Sequence, residues 1–149
     1  MDEKKPKTLV SAEENADVSR AVRQWLNTYP DKPLSKIDFE WLGEKSGLCI
    51  STIQAAYKTK QFINGSYQAQ YQFKLIYRVP AKNADERMSA DEVLDAYGAW
   101  AEANVDSLTI ADGIRVRKVK RDTAAALFAR YEGDVEDHQI LLTLIYEVI

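Results

Sequence analysis

The sequence predicts an α+β fold, a mainly antiparallel sheet packed with two main helices in the order α-β-β-β-α-β-β-β. Three observations predict it. Two segments, residues 11–29 and 89–104, space their apolar residues by three and four, the helical period. Residues 67–79 alternate strictly with period 2, the mark of a half-covered strand. The C-terminal run from His138 to Val148 is apolar on both faces, as expected of a central strand covered on both sides.

The first helix is predicted from Ser11 to Tyr29. Val18, Val22, Trp25, Leu26 and Tyr29 form one apolar stripe, and Ser11 with Glu14 has the spacing of a capping box. Pro30 should stop the helix, and Pro33 should keep the following residues extended. The period then drops to 2. Ile37, Phe39 and Trp41 are expected on a dry strand face, with Lys36, Asp38 and Glu40 on a wet one. Gly43 and Gly47 interrupt that run. A less regular strand from about Cys49 to Lys60 is expected to form a long hairpin with the next one, its tip near residues 60–66. There Asn64-Gly65-Ser66 supplies turn chemistry.

In that second arm Tyr67, Ala69, Tyr71, Phe73, Leu75, Tyr77 and Val79 share one face. Gln68, Gln70, Gln72, Lys74, Ile76 and Arg78 share the other. Pro80 and a polar loop over 81–88 lead to the second helix. Ser89 is read as its cap and Val93, Leu94, Tyr97, Trp100 and Ala101 as its buried stripe. Strands are then expected over 114–119 and 124–131. A turn at Gly133-Asp134, with the acidic residues after it, precedes the last strand.

A chain of 149 residues is one domain by length, able to bury roughly 70% of its unfolded surface. Residues 1–10 are expected as a flexible tail and 11–149 as the single domain. The composition, 46% hydrophobic and 29% charged, is that of a water-soluble protein. No apolar stretch approaches the roughly 20 residues of a membrane span, and no membrane partner is expected. The charged N-terminus lacks a signal-type apolar run, so the chain is expected to stay in the cell that makes it. A lone Cys49 allows no internal disulfide.

Catalytic patterns are absent. One histidine and one cysteine cannot supply a zinc site, and no cofactor is expected. His138 reads as structural or solvent-exposed, and Cys49, between Leu48 and Ile50, as a buried packing residue. Gly43 to Gly47 lacks P-loop spacing and reads as a turn. Asp38/Glu40 and Asp91/Glu92/Asp95 are explained by a solvated strand face and a helix start. The chain is therefore expected not to be an enzyme.

Two stripes remain. Gln68, Gln70 and Gln72 form a neutral polar row where an exposed strand face would commonly be charged, so they are candidates for an interface. Lys58, Lys60 and Phe62 at the hairpin tip join them as candidate contacts with a neighbour. Five of the seven residues 115–121 are basic, although the net charge is −3. Arg115, Arg117, Lys118, Lys120 and Arg121 are candidate contacts to an acidic partner or to DNA. An ordinary solvated face is the alternative for both stripes.

Three stretches carry a family resemblance: Ala21-Val22-Arg23-Gln24-Trp25-Leu26, Ile37-Asp38-Phe39-Glu40-Trp41-Leu42, and Gly65 through Phe73. Together with the helix around Asp95 to Trp100 and the apolar C-terminal strand, they resemble the minor capsid, or tail-terminator, proteins of long-tailed phages and prophages of Gram-positive bacteria. The resemblance runs from about residue 18 to the end. It implies an α/β sandwich and a virion protein of the tail and neck, present in the host cytoplasm during assembly. It also implies a ring, usually a hexamer, that caps the tail tube, stops its elongation and offers a surface to the head. The implied partners are further copies of the chain, the tail tube protein, the head–tail connector and DNA passing through the ring. Three rivals stay open: a head-completion or head–tail joining protein, a DNA-binding module using 115–121, and a small enzyme built on His138, Cys49 and Asp38/Glu40.

Overall fold

The computed structural model describes residues 8–149. The chain runs β1 (Thr8–Leu9), α1 (Ala12–Leu26), β2 (Asp38–Phe39), β3 (Gly47–Gln61), β4 (Tyr67–Pro80), α2 (Ala84–Ala103), a 3₁₀ turn (Val105–Ser107), β5 (Ile114–Arg121), β6 (Ala126–Tyr131) and β7 (Val135–Val148). This is the α+β order expected, with one short strand added at the start. A seven-stranded sheet is ordered β1-β3-β4-β7-β5, with β2 on β3 and β6 on β7. All pairings are antiparallel except β2 with β3.

Both helices lie on one face of the sheet. The face made by Ala69, Tyr71, Phe73 and Leu75 of β4 and Ile140, Leu142, Leu144 and Tyr146 of β7 is closed to solvent. Val18, Val22, Trp25 and Leu26 of α1 and Leu94, Tyr97 and Ala101 of α2 complete that core. Burying each such side chain contributes about 1.5–3 kcal/mol. Gly98 permits the close approach of α2 to β7, because a Cβ there would sit 2.9 Å from Ile140 Cδ1 and 2.7 Å from Arg121 Cδ. Three buried tyrosine hydroxyls need partners in this apolar layer, and all have them. Tyr71 meets Ser19 at 3.1 Å and Thr52 at 2.8 Å, Tyr146 donates to Glu14 at 2.6 Å, and Tyr97 donates to the Leu26 carbonyl.

Several local expectations need correction. Residues 1–7 of the expected tail lie outside the described residues, but Thr8–Leu9 pairs with Tyr57 and Lys58, and Val10 is buried. The domain therefore begins before residue 11. Ser11 does cap α1, accepting from Glu14 N at 3.1 Å, yet Glu14 does not reach back to complete the box. Its carboxylate accepts from Tyr67 and Tyr146 instead, a long-range use that outcompetes the local one. The helix closes at Leu26, ahead of Pro30, where the Asn27 side chain donates to Arg23 O and accepts from Ile37 N.

The expected strand over 37–41 shrinks to two paired residues. Ile37 is buried, but Phe39 and Trp41 are 42% and 64% exposed. Glu40 adopts a left-handed conformation (φ 55°) that breaks the alternation, and its carboxylate accepts from Thr52 N at 2.9 Å and Ser51 Oγ at 3.0 Å. The loop expected over 81–88 is largely helix. Asn83, not Ser89, caps α2, accepting from Glu86 N, while Glu86 accepts from Lys82 N.

Candidate functional site

Among the described residues, the second face of the sheet carries no helix. Strand register sets its side chains in rows: Gln68–Glu147–Arg115, Gln70–Ile145–Lys118, Gln72–Thr143–Lys120 across β4, β7 and β5. The glutamine stripe and the basic stripe, far apart in sequence, thus share one open surface, divided by the outward residues of β7. That strand is central, as its two-sided apolar pattern implied. Its inward residues from Glu136 to Tyr146 are buried, as is outward Thr143, whereas outward Leu141 and Ile145 are only half-covered.

The glutamines are oriented by their own hairpin. Gln68 Nε2 donates to Thr59 at 3.2 Å and Gln70 Nε2 to Tyr57 at 2.5 Å, and Gln72 stands opposite Gln54. Lys60 pairs with Gln68 and joins this face. Lys58 pairs with Ala69 and belongs to the helix side, its ammonium 4.4 Å from the Tyr67 ring centroid. Phe62 is exposed at the tip, next to a still more exposed Ile63. In the basic stripe, Arg121 turns to the helix side and pairs with Glu102 at 2.9 Å, and Arg117 lies 3.8 Å from Glu147 at a bulge. Arg115, Lys118 and Lys120 remain exposed on the open face.

A second cluster went unseen in the sequence. Glu136 and Asp137, read there as turn residues, are buried in β7 beside His138. On the helix side, Glu136 accepts from Arg87 at 2.5 Å, Arg130 at 3.2 Å and His138 Nε2 at 3.0 Å, while His138 Nδ1 lies 2.7 Å from Asp91. Burial alone would raise the Glu136 pKa, but the bonds from Arg87 and His138 and the charges of Arg87 and Arg130 outweigh it and hold the carboxyl below its ordinary value. A neutral imidazole has one N–H and can donate to only one of the two carboxylates; donating to both takes the doubly protonated ring. On the open side, Asp137 receives a two-pronged bond from Arg78 at 2.7 and 2.8 Å and a third from Tyr131.

The geometry separates the residues of the enzyme reading. Cys49 aligns with Ile76 and Gln139 on the open side, His138 with Tyr77 on the helix side. They cannot form a nucleophile–base pair. Burial pushes the Cys49 thiol up to about 11, far from a reactive thiolate. Asp38 pairs with Lys36, and Glu40 is held by Ser51 and Thr52. The Gly43–Gly47 segment leads into β3, not a helix, so its amides are not at a phosphate-binding helix start. Both nitrogens of His138 are occupied.

Comparison of the chain with family models and with curated proteins finds no match.

Proposed function

We propose that this chain is a structural, non-enzymatic protein of a phage tail, a terminator that assembles as a ring on the end of the tail tube. The observation that carries the reading is the open sheet face. A central strand leaves Ile145 half-covered between Gln70 and Lys118, and Leu141 half-covered beside Lys74, the make-up of a surface that meets protein rather than water alone. The family resemblance of residues 18–149 supports the same reading.

The mechanism is geometric. Identical subunits joined head to tail close into a ring when the rotation per subunit closes. One rim matches the last ring of the tube. The other offers no match to a further tube subunit, so elongation stops and the head can dock. The hairpin tip, where Phe62 and Ile63 are exposed, is the proposed contact with a neighbour or the tube.

The test is electron microscopy of particles from a phage or prophage with a stop codon in this gene. Tubes of uncontrolled length without heads are the expected result. Uniform tails beside filled, unattached heads would assign the protein to head–tail joining instead. Normal infectious particles would overturn a neck role altogether.

A further inference from the structure

The open face is complementary in charge to the opposite side of the same molecule. It presents Lys60, Lys74, Arg115, Lys118 and Lys120 against Glu40, Glu147 and Asp122, with Arg78 and Asp137 neutralising each other. On the far side, residues 84–107 hold seven acids, of which Glu102 pairs with Arg121 and Asp91 with His138, and a single base, Arg87, which is itself tied to Glu136. The molecule is a two-sided plate, basic on its bare sheet and acidic on its outer helix, though its net charge is only −3.

We infer that the occupant of the open face is the α2 surface of a second copy of this chain, stacked head to tail. The inference rests on the ring reading above and names the two surfaces that would close the ring. A groove of about 290 Å³ on the α2 side is lined by Tyr29, Asp31, Glu92, Val93 and Ala96. Its apolar floor suits the methylene stem of a lysine and its two carboxylates suit the ammonium. Lys118 and Lys120 stand about 7 Å apart along their strand and point away from their own core.

On β7, half-covered Ile145, between Gln70 and Lys118, and half-covered Leu141, beside Lys74, form an apolar seam interrupted by Thr143, which is buried and bonded to Asp122. A nucleic-acid backbone would leave that seam wet. A helix surface carrying Val93, Ala96 and the 61% exposed Met88 would cover it, as α2 and α1 cover the other side of the same strand. The contact is heterologous, because sheet meets helix and not sheet, so it can propagate around a ring.

A charge-swap experiment tests this by sedimentation velocity of the purified chain at low ionic strength, where such pairs are least screened. One variant carries Lys118→Glu and Lys120→Glu, the other Asp31→Lys and Glu92→Lys. All four positions are exposed, so the melting temperature should stay close to that of the parent and report intact folding. The parent should self-associate and dissociate as salt is raised. Each variant alone should weaken association by roughly a hundredfold, and an equimolar mixture should restore it, since every interface in an alternating assembly is again complementary.

Association that is equal in parent and variants would overturn the proposed surfaces while leaving the ring reading standing. A parent that stays monomeric would overturn self-stacking, and the microscopy of stopped phage would still judge the terminator role. If the lysine variant instead loses salt-sensitive binding to a DNA duplex and no form associates, the face belongs to nucleic acid and the proposal fails.

Discussion

Strand β7 passes through two different interiors. Over residues 140–146 its helix-facing side chains Ile140, Leu142, Leu144 and Tyr146 lie in an apolar layer, held by shape and area. Over 136–138 it is just as buried but ionic, with Glu136 and His138 meeting Arg87, Arg130 and Asp91 on one side and Asp137 meeting Arg78 on the other. The apolar half gains from every partner roughly in proportion to area, so it is tolerant of detail. The ionic half holds only while each charge keeps its partner, because removing one leaves another desolvated and uncompensated. Equal burial therefore does not mean equal chemistry.

Substitutions in the two halves sharpen this contrast. The largest effect is expected for Leu142→Ala, fully buried opposite Phe73: a loss of about 4 kcal/mol in denaturant unfolding, through lost burial and a residual cavity. In the ionic half, Glu136→Ala should cost about 3 kcal/mol, because two arginines and His138 lose their shared acceptor. If it proved neutral, the network would be ornamental and the comparison would collapse.

Acid should separate the halves further. The folded-state pKa of Glu136 is depressed, so its contribution is full above the ordinary carboxylate value of 4.5 and fades as pH falls through the lower folded value. The stability gap between the parent and Glu136→Gln should accordingly shrink below pH 4.5, whereas the Leu142→Ala gap should not change. A smaller loss, about 1–2 kcal/mol, is expected for His138→Gln, since an amide can replace one of the two carboxylate contacts but not both in the same geometry. Smallest is Lys118→Ala on the exposed side of β5, within about 0.5 kcal/mol by thermal unfolding of the monomer, however much it alters association.

The legible parts were those governed by local period. The α1 stripe, the β4 alternation, the hairpin and the central position of β7 all follow from spacing within a dozen residues, and the structure places them as spacing implied, although β7 is fully covered on its helix side alone. The errors share a different cause. Phe39 and Trp41 alternate like core residues, but the left-handed turn at Glu40 is stabilised by β3, which period cannot register. Asn83 caps α2 from within a stretch that looked like loop, with the same three-residue spacing to Glu86 that Ser89 shows to Glu92, so two equally good local signals competed and packing chose the earlier. Glu136 and Asp137 looked like turn residues because their arginine partners lie on α2, β4 and β6.

By itself the sequence determined the element types, their order, the half-buried character of the hairpin and the central position of the last strand. Helical and strand periods are set by backbone geometry and written in neighbouring residues. Only the tertiary structure decided that the glutamine row and the basic row would stand together on the bare side of the sheet. That outcome depends on strand register and on Gly98 letting α2 settle against β7, contacts between residues far apart in the chain whose energies no local pattern contains.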